Sequence, residues 1–144
     1  MNILILHGPN LNLLGEREPE IYGYETLDDI NAQLYAIAQK REATLHIYQS
    51  NHEGVLIDLI HQHRKWADGI IMNPGAYTHY SYALRDAIAA FTKPMTEVHL
   101  SDILKRESFR AKTVFEGLPN VTRIMGKGAS GYYEALETIV QQHP

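Results

Sequence analysis

The sequence contains no cysteine, which removes disulfide scaffolds, thiolate nucleophiles and thiolate metal sites, and makes a reducing cytoplasm the expected home. It has no apolar run of the length a membrane span needs, no low-complexity tract and no internal repeat. Basic residues are scattered instead of forming a stripe, and the formal charge is only -4. Neither feature suits nucleic acid as the main partner. Any anionic ligand must then be held by a few placed cations. The opening apolar run, residues 1–6, lacks a basic leader and is too short for a secretory h-region, so it is expected to be a first strand.

At 144 residues the chain has the size of one domain, taken as a single catalytic unit over 1–144. Short apolar or β-branched runs at 2–6, 44–49, 69–73, 95–100 and 121–125 end in Gly, Pro, Asn or Ser and predict strands. Between them, Leu27, Ile30, Leu34 and Ile37 recur at helical spacing behind Thr26 as N-cap, with Asp28 and Asp29 in the first turn. Leu56, Leu59 and Ile60 mark a second helix, Leu84, Ala87, Ile88 and Phe91 a third, and Tyr132, Leu136, Ile139 and Val140 a last. This alternation predicts an α/β fold of three layers with a five-stranded parallel sheet, for which the flavodoxin-like order is the common solution at this size. The segment 102–120 is the least readable.

In open parallel sheets ligands bind beyond the carboxyl ends of the strands. After the first strand a long polar connection runs from His7 to Gly23, far beyond an ordinary βα loop. Bracketed by Gly15 and Gly23, it is expected to carry an active-site lid at about 15–24. After the third strand stand Asn73-Pro74-Gly75-Ala76-Tyr77-Thr78-His79, and the fourth ends in Glu97-Val98-His99-Leu100-Ser101. Glu97 and His99 share a strand face, so the carboxylate is able to orient the imidazole. The pair reads either as a general acid with its positioner or as a strand-end histidine satisfying a backbone group. Arg17, Tyr22, Arg106 and Arg110 add cations and a phenol. A tyrosine acts as a base at neutral pH only where a cation stabilises its phenolate, and arginine suits that task.

Other signals lead elsewhere. Gly126-Lys127-Gly128-Ala129-Ser130-Gly131 matches G-x-G-x-x-G between a predicted strand and helix. It closes the fold instead of opening it, and no acid follows at a strand end, so a dinucleotide site is incomplete. A nucleotide-dependent oxidoreductase using this loop is kept as one alternative. The eight histidines show no metal spacing, because His61 and His63 diverge on a helix and no H-E-x-x-H occurs. A second alternative is a flavodoxin-like binding protein that keeps the pocket and has lost turnover.

Taken together, Gly8-Pro9-Asn10-Leu11-Asn12-Leu13-Leu14-Gly15, Arg17-Glu18-Pro19 with Tyr22-Gly23, Gln49-Ser50-Asn51-His52-Glu53-Gly54, the Asn73 to His79 string and Glu97-Val98-His99-Leu100-Ser101 resemble the type II dehydroquinases. The match runs in order along nearly the whole chain. The resemblance implies a flavodoxin-like subunit in a homododecamer built from trimers. It also implies dehydration of 3-dehydroquinate to 3-dehydroshikimate by stepwise anti elimination through an enolate, with no metal, organic cofactor or Schiff base. By motif position, Tyr22 is similar to the family's base, Arg17 to its activator, His99 to the acid and Glu97 to the residue positioning that acid. Asn10 is similar to the group holding a water against the enolate. Asn73 and the amides of Leu100 and Ser101 resemble the carboxylate site, His79 and Arg110 the hydroxyl clamps, and Asp86 the residue supplied across a subunit contact.

Enolate chemistry needs preorganised donors where charge develops and a base made competent at neutral pH, which these residue types supply. Four places depart from the family's usual pattern: His7 stands where asparagine is usual, Asp102 where asparagine is commoner, Leu104 where histidine is frequent, and Ala111-Lys112 where a histidine pair is frequent. Asp102 would place a negative charge beside the carboxylate site unless Arg106 or Lys105 neutralises it.

Overall fold

The computed structural model describes residues 1–142. Five parallel strands, β1 (Asn2–His7), β2 (Thr44–Gln49), β3 (Gly69–Asn73), β4 (Met95–His99) and β5 (Val121–Met125), form one sheet in the order β2-β1-β3-β4-β5. That is the flavodoxin-like doubly wound order. The main helices are α2 (Leu27–Lys40), α3 (Glu53–His63), α4 (Tyr82–Phe91) and α5 (Ser130–Gln142), with a short α1 (Pro19–Tyr22) inside the long first connection. Helix α2 begins as the sequence predicts. Thr26 accepts from the Asp29 amide and Asp29 returns a bond to the Thr26 amide, a reciprocal capping box.

Strand alternation splits the core into two layers. Ile3 and Ile5 of β1 and Ile71 of β3 pack with Ile30 and Leu34 of α2 and Tyr132, Leu136 and Ile139 of α5. Leu4, Leu6, Ile70 and Met72 face the other way, onto Leu56 and Ile60 of α3 and Leu84, Ile88 and Phe91 of α4. Each layer stays apolar almost to the carboxyl ends of the strands, where polar residues take over.

Two strand ends differ from the sequence reading. β1 continues through His7, which pairs with Gln49 and Asn73, and β4 stops at His99, leaving Leu100 outside the ladder. The segment 102–120 holds two 3-10 turns, Ile103–Lys105 and Ser108–Ala111, whose short apolar spacing gives no helical or strand period to read. Among the described residues no helix is long and apolar enough to cross a membrane.

Candidate active site

Beyond the strand ends lies a cavity of about 230 Å³ whose wall includes Asn10, Arg17, Tyr22, Asn73, His79, His99, Leu100, Ser101, Arg106 and Arg110. The sequence places these residues in separate segments, and the doubly wound topology delivers them to one edge of the sheet. Glu97 stands behind His99 without reaching the cavity wall. Asp86 is not brought to the cavity. It is exposed on α4, where among the described residues it makes no ion pair.

The loop geometry follows from close approaches. The Gly8 amide donates to the Asn73 carbonyl at 2.8 Å, and a Cβ at Gly8 would sit 2.7 Å from that oxygen, so only glycine lets the first and third loops meet. Asn10 adopts a left-handed conformation at φ 69, costly for a side-chain-bearing residue. Its amide is held by Asn51 Oδ1 at 3.0 Å, and Asn51 is in turn held by the Tyr77 hydroxyl and by Gln49. Gly15 and Gly23, at the two ends of the expected lid, both have φ 90.

Tyr22 receives two cations. Arg106 Nη1 donates to its hydroxyl at 2.8 Å, and the Arg17 guanidinium lies 4.7 Å from the ring centroid. Arg106 also reaches Ser101 Oγ at 3.4 Å. The arginine on the phenol oxygen is therefore Arg106, which the sequence reading groups with Arg17 and Tyr22 without giving it a catalytic place.

His99 Nε2 meets Glu97 Oε2 at 2.5 Å, with both side chains buried. Thr78 and Thr113 also donate to the Glu97 carboxylate, at 2.5 and 3.0 Å respectively. Burial opposes ionisation of Glu97, yet the bond and charge of His99 together with the two threonines outweigh it and hold the carboxyl below its ordinary range. An ionised Glu97 commits Nε2 as the donor and leaves Nδ1 as the second functional nitrogen of His99. Thr78 and Thr113 were missed by sequence reasoning. Thr78 lies within a motif read for His79, and Thr113 lies in the unreadable segment.

His79 Nδ1 donates to the Lys112 carbonyl at 2.6 Å, leaving Nε2 as an acceptor. Partial burial lowers its pKa, with the nearby His99 and Arg110 charges adding to the shift and the Lys112 carbonyl opposing it. The neutral ring suits a ligand hydroxyl. Arg110 pairs with Glu107, an exposed side chain, so the pair costs the site little of its positive character.

Asp102 turns away from this cavity. Its carboxylate caps the Leu104 amide at 3.0 Å and lies 3.9 Å from Lys105 Nζ. It borders instead a larger cleft of about 610 Å³ on the other side of Tyr22 and Arg106. That cleft contains neither His99 nor Asn73 in its wall, so the residues expected to carry chemistry gather at the smaller cavity. The glycine loop lines the larger cleft, but the amides of Gly126 and Gly128 donate to the carbonyls of Ser101 and Leu100 at 3.1 and 3.0 Å. The loop clamps the end of β4, and those two donors are spent on it.

No carboxylate lines the smaller cavity among the described residues, while Arg17, Arg106 and Arg110 do. In a chain of net charge -4 this concentrates positive potential on one small concavity, which fits a small anion bearing hydroxyls.

The model of the family described as dehydroquinase class II matches residues 1–140. The chain is 51% identical to the 3-dehydroquinate dehydratase of Halothermothrix orenii, over 96% of this chain and 93% of that one. It is 52% identical to the 3-dehydroquinate dehydratase of Dictyoglomus turgidum, over 96% and 95%. A crystal structure of type II dehydroquinase from Butyrivibrio crossotus superposes with a TM-score of 0.93 at 43% identity, covering 96% of this chain and 97% of that one.

Proposed function

The chain belongs to the class II dehydroquinase family, and from that membership we infer that it is a hydro-lyase converting 3-dehydroquinate to 3-dehydroshikimate. One observation of the site carries the reading beyond membership: a phenol under two guanidiniums and a carboxylate-backed imidazole line the same small cationic cavity.

Tyr22, as phenolate stabilised by Arg106 and Arg17, takes the C2 proton beside the ketone. The electron pair enters the carbonyl as an enolate, whose oxygen is met by a water held on Asn10. Collapse of the enolate expels the C1 hydroxyl, which takes a proton from His99 and leaves as water. Glu97 keeps His99 oriented and balances the imidazolium that precedes this transfer. Asn73 and the Leu100 and Ser101 amides hold the carboxylate, and His79 and Arg110 hold the ring hydroxyls. The segment 15–24 closes over the site as a lid and excludes water. The steps need no metal, organic cofactor or lysine adduct.

Asp86 is assigned to the site of a neighbouring subunit. Tyr82 lies one turn before it on α4 and is exposed, as are Tyr80, Leu104 and Phe109 nearby in the chain order of the site loops. Covering this surface supports a homododecamer, a tetramer of trimers, working in the cytoplasm. The Gly126 to Gly131 loop serves as a clamp in this reading, which disfavours the oxidoreductase alternative. Appearance of the conjugated enone in the ultraviolet on mixing the purified protein with 3-dehydroquinate tests the function. No product at any pH between ordinary assay limits leaves the alternative of a binding protein without turnover.

A further inference from the structure

The string Gln49 to Gly54 spans the end of β2 and the start of α3, and none of its members lines the small cavity. Its side chains are nevertheless committed to the site loops. Gln49 Nε2 donates to the Gly8 carbonyl and to Asn51 Oδ1, both at 3.2 Å, and the Asn10 amide donates to that same Asn51 oxygen at 3.0 Å. From the third loop the Tyr77 hydroxyl donates to the Asn51 carbonyl at 2.7 Å. The loops after β1, β2 and β3 therefore meet on Asn51.

Backbone groups set the orientation of both carboxamides. The Gly8 carbonyl only accepts, so Gln49 turns Nε2 toward it, and the Asn10 amide only donates, so Asn51 turns Oδ1 toward it. The contact between the two side chains is then donor to acceptor, and the set is self-consistent. Asn51 is also firmly seated. The His52 amide donates to Ser50 Oγ at 3.0 Å, and Glu53 accepts from Ser81 Oγ, which caps α4 at the Leu84 amide.

Asn10 needs this support. Its φ of 69 lies in the left-handed region where glycine is the ordinary occupant, but glycine has no carboxamide to offer a ligand. The exposed Asn10 side chain makes no hydrogen bond of its own among the described residues, so its direction is set by the backbone. Gly8 and Pro9 are fixed against the third loop, by the Gly8 amide on the Asn73 carbonyl and by the close approach of Pro9 to Gly75, where an added Cβ would meet it at 3.1 Å. The Asn10 amide is the next group along, and Asn51 holds it.

We propose that Asn51 is a positioning residue for Asn10, fixing the left-handed backbone that aims its carboxamide into the cavity at the water facing the enolate oxygen. This rests on the reading of Asn10 as the group that holds that water. Enolate charge is absent from bound 3-dehydroquinate, so a residue acting through Asn10 affects the transition state, and its loss appears in kcat with KM nearly unchanged. The bond lies at the surface, where water replaces Asn51 as partner of the Asn10 amide. The fold survives that exchange, and the direction of the carboxamide does not.

The test compares Asn51→Ala, Asn51→Asp, Asn10→Ala and the Asn10→Ala, Asn51→Ala double variant in the assembled enzyme. Asn51→Ala is expected to lower kcat about tenfold, the scale of one hydrogen bond, with KM within about twofold. Aspartate keeps an oxygen for both the Asn10 amide and Gln49, so Asn51→Asp should return kcat to within about threefold of the unaltered enzyme at an ionic strength that screens the added charge. Asn10→Ala should lose at least as much as Asn51→Ala, and the double variant should be no slower than Asn10→Ala, because the residue being positioned is gone. An unchanged kcat in Asn51→Ala, a loss that aspartate does not restore, or losses that multiply in the double variant overturns the proposal. An unchanged kcat in Asn10→Ala overturns the reading of Asn10 instead, and an unaltered enzyme without turnover overturns the functional reading. The positioning itself is then decided by a crystal structure of Asn51→Ala: an Asn10 that leaves its left-handed conformation supports it, and one that keeps it overturns it.

Discussion

Arg106 Nη1 lies 2.8 Å from the Tyr22 hydroxyl although the two residues are 84 positions apart in the chain. The Arg17 guanidinium, from the same loop as Tyr22, contacts the ring and not the oxygen. The two arginines are therefore unequal. A charge at hydrogen-bond distance stabilises phenolate more than one held over the ring, because the interaction falls with distance and is screened at the half-exposed Arg17. Arg106→Ala is expected to lower kcat/KM more than Arg17→Ala, and both variants should recover part of their loss as the assay pH is raised. Equal losses with superimposable pH profiles would remove the distinction.

Tyr22→Phe deletes one hydroxyl from the half-buried last residue of α1 and none of the buried core. It is expected to reduce kcat by about a thousandfold or more with the fold and the assembly intact. A folded variant with near-normal turnover would show that another group removes the proton.

Glu97→Gln tests the support behind His99. The amide can still accept from Thr78 and Thr113, but it no longer supplies the charge that holds and balances the imidazole. A loss of about a hundredfold in kcat is expected with KM little changed. Matching losses in stability and in KM, with kcat retained, would make Glu97 a packing residue.

His7 gives the protein an acid-sensitive joint. Its folded pKa of about 4 lies below the ordinary 6.5, so between those values the unfolded chain binds more protons than the folded one. Stability from this group is complete above about pH 6.5 and is lost as pH falls toward about 4, amounting to roughly 3 kcal/mol over the window. His7→Gln has no such titration. Denaturant midpoints measured on both proteins across that window should converge as the pH falls. A constant gap between them would contradict the burial of a neutral imidazole.

The sheet was legible because each strand is a compact apolar run ended by turn residues, and because α2 starts with a Thr26 cap three residues before Asp29. The strand ends then named the positions where, Tyr22 excepted, most cavity residues occur, while the length of the first connection pointed only to a lid and Tyr22 was singled out by the family resemblance. Arg106 and Thr113 were harder. They lie in a segment of short 3-10 turns with no period, and their partners Tyr22 and Glu97 are reached only through the tertiary fold. His7 was legible as a departure from the family's asparagine but not in its buried contacts, which depend on β1 running one residue further than the apolar pattern, with the ring between Asn31 and Tyr132.

The proposed base and acid stand on different elements, Tyr22 in α1 and His99 at the end of β4, and this separation makes the order of proton transfers testable. In a stepwise reaction Tyr22 and its arginines generate the enolate before His99 is needed. His99→Ala removes the acid while leaving Tyr22, Arg106 and Arg17 in place, so C2 proton removal and return should continue although the hydroxyl cannot depart. In deuterated water this variant is expected to exchange the C2 hydrogen of 3-dehydroquinate faster than it forms product. Tyr22→Phe should do neither, since it blocks the first transfer. A concerted elimination would couple the two events and abolish exchange in both variants. If His99→Ala folds and binds substrate but exchanges no faster than the uncatalysed background, His99 takes part in the first transfer and the stepwise assignment fails.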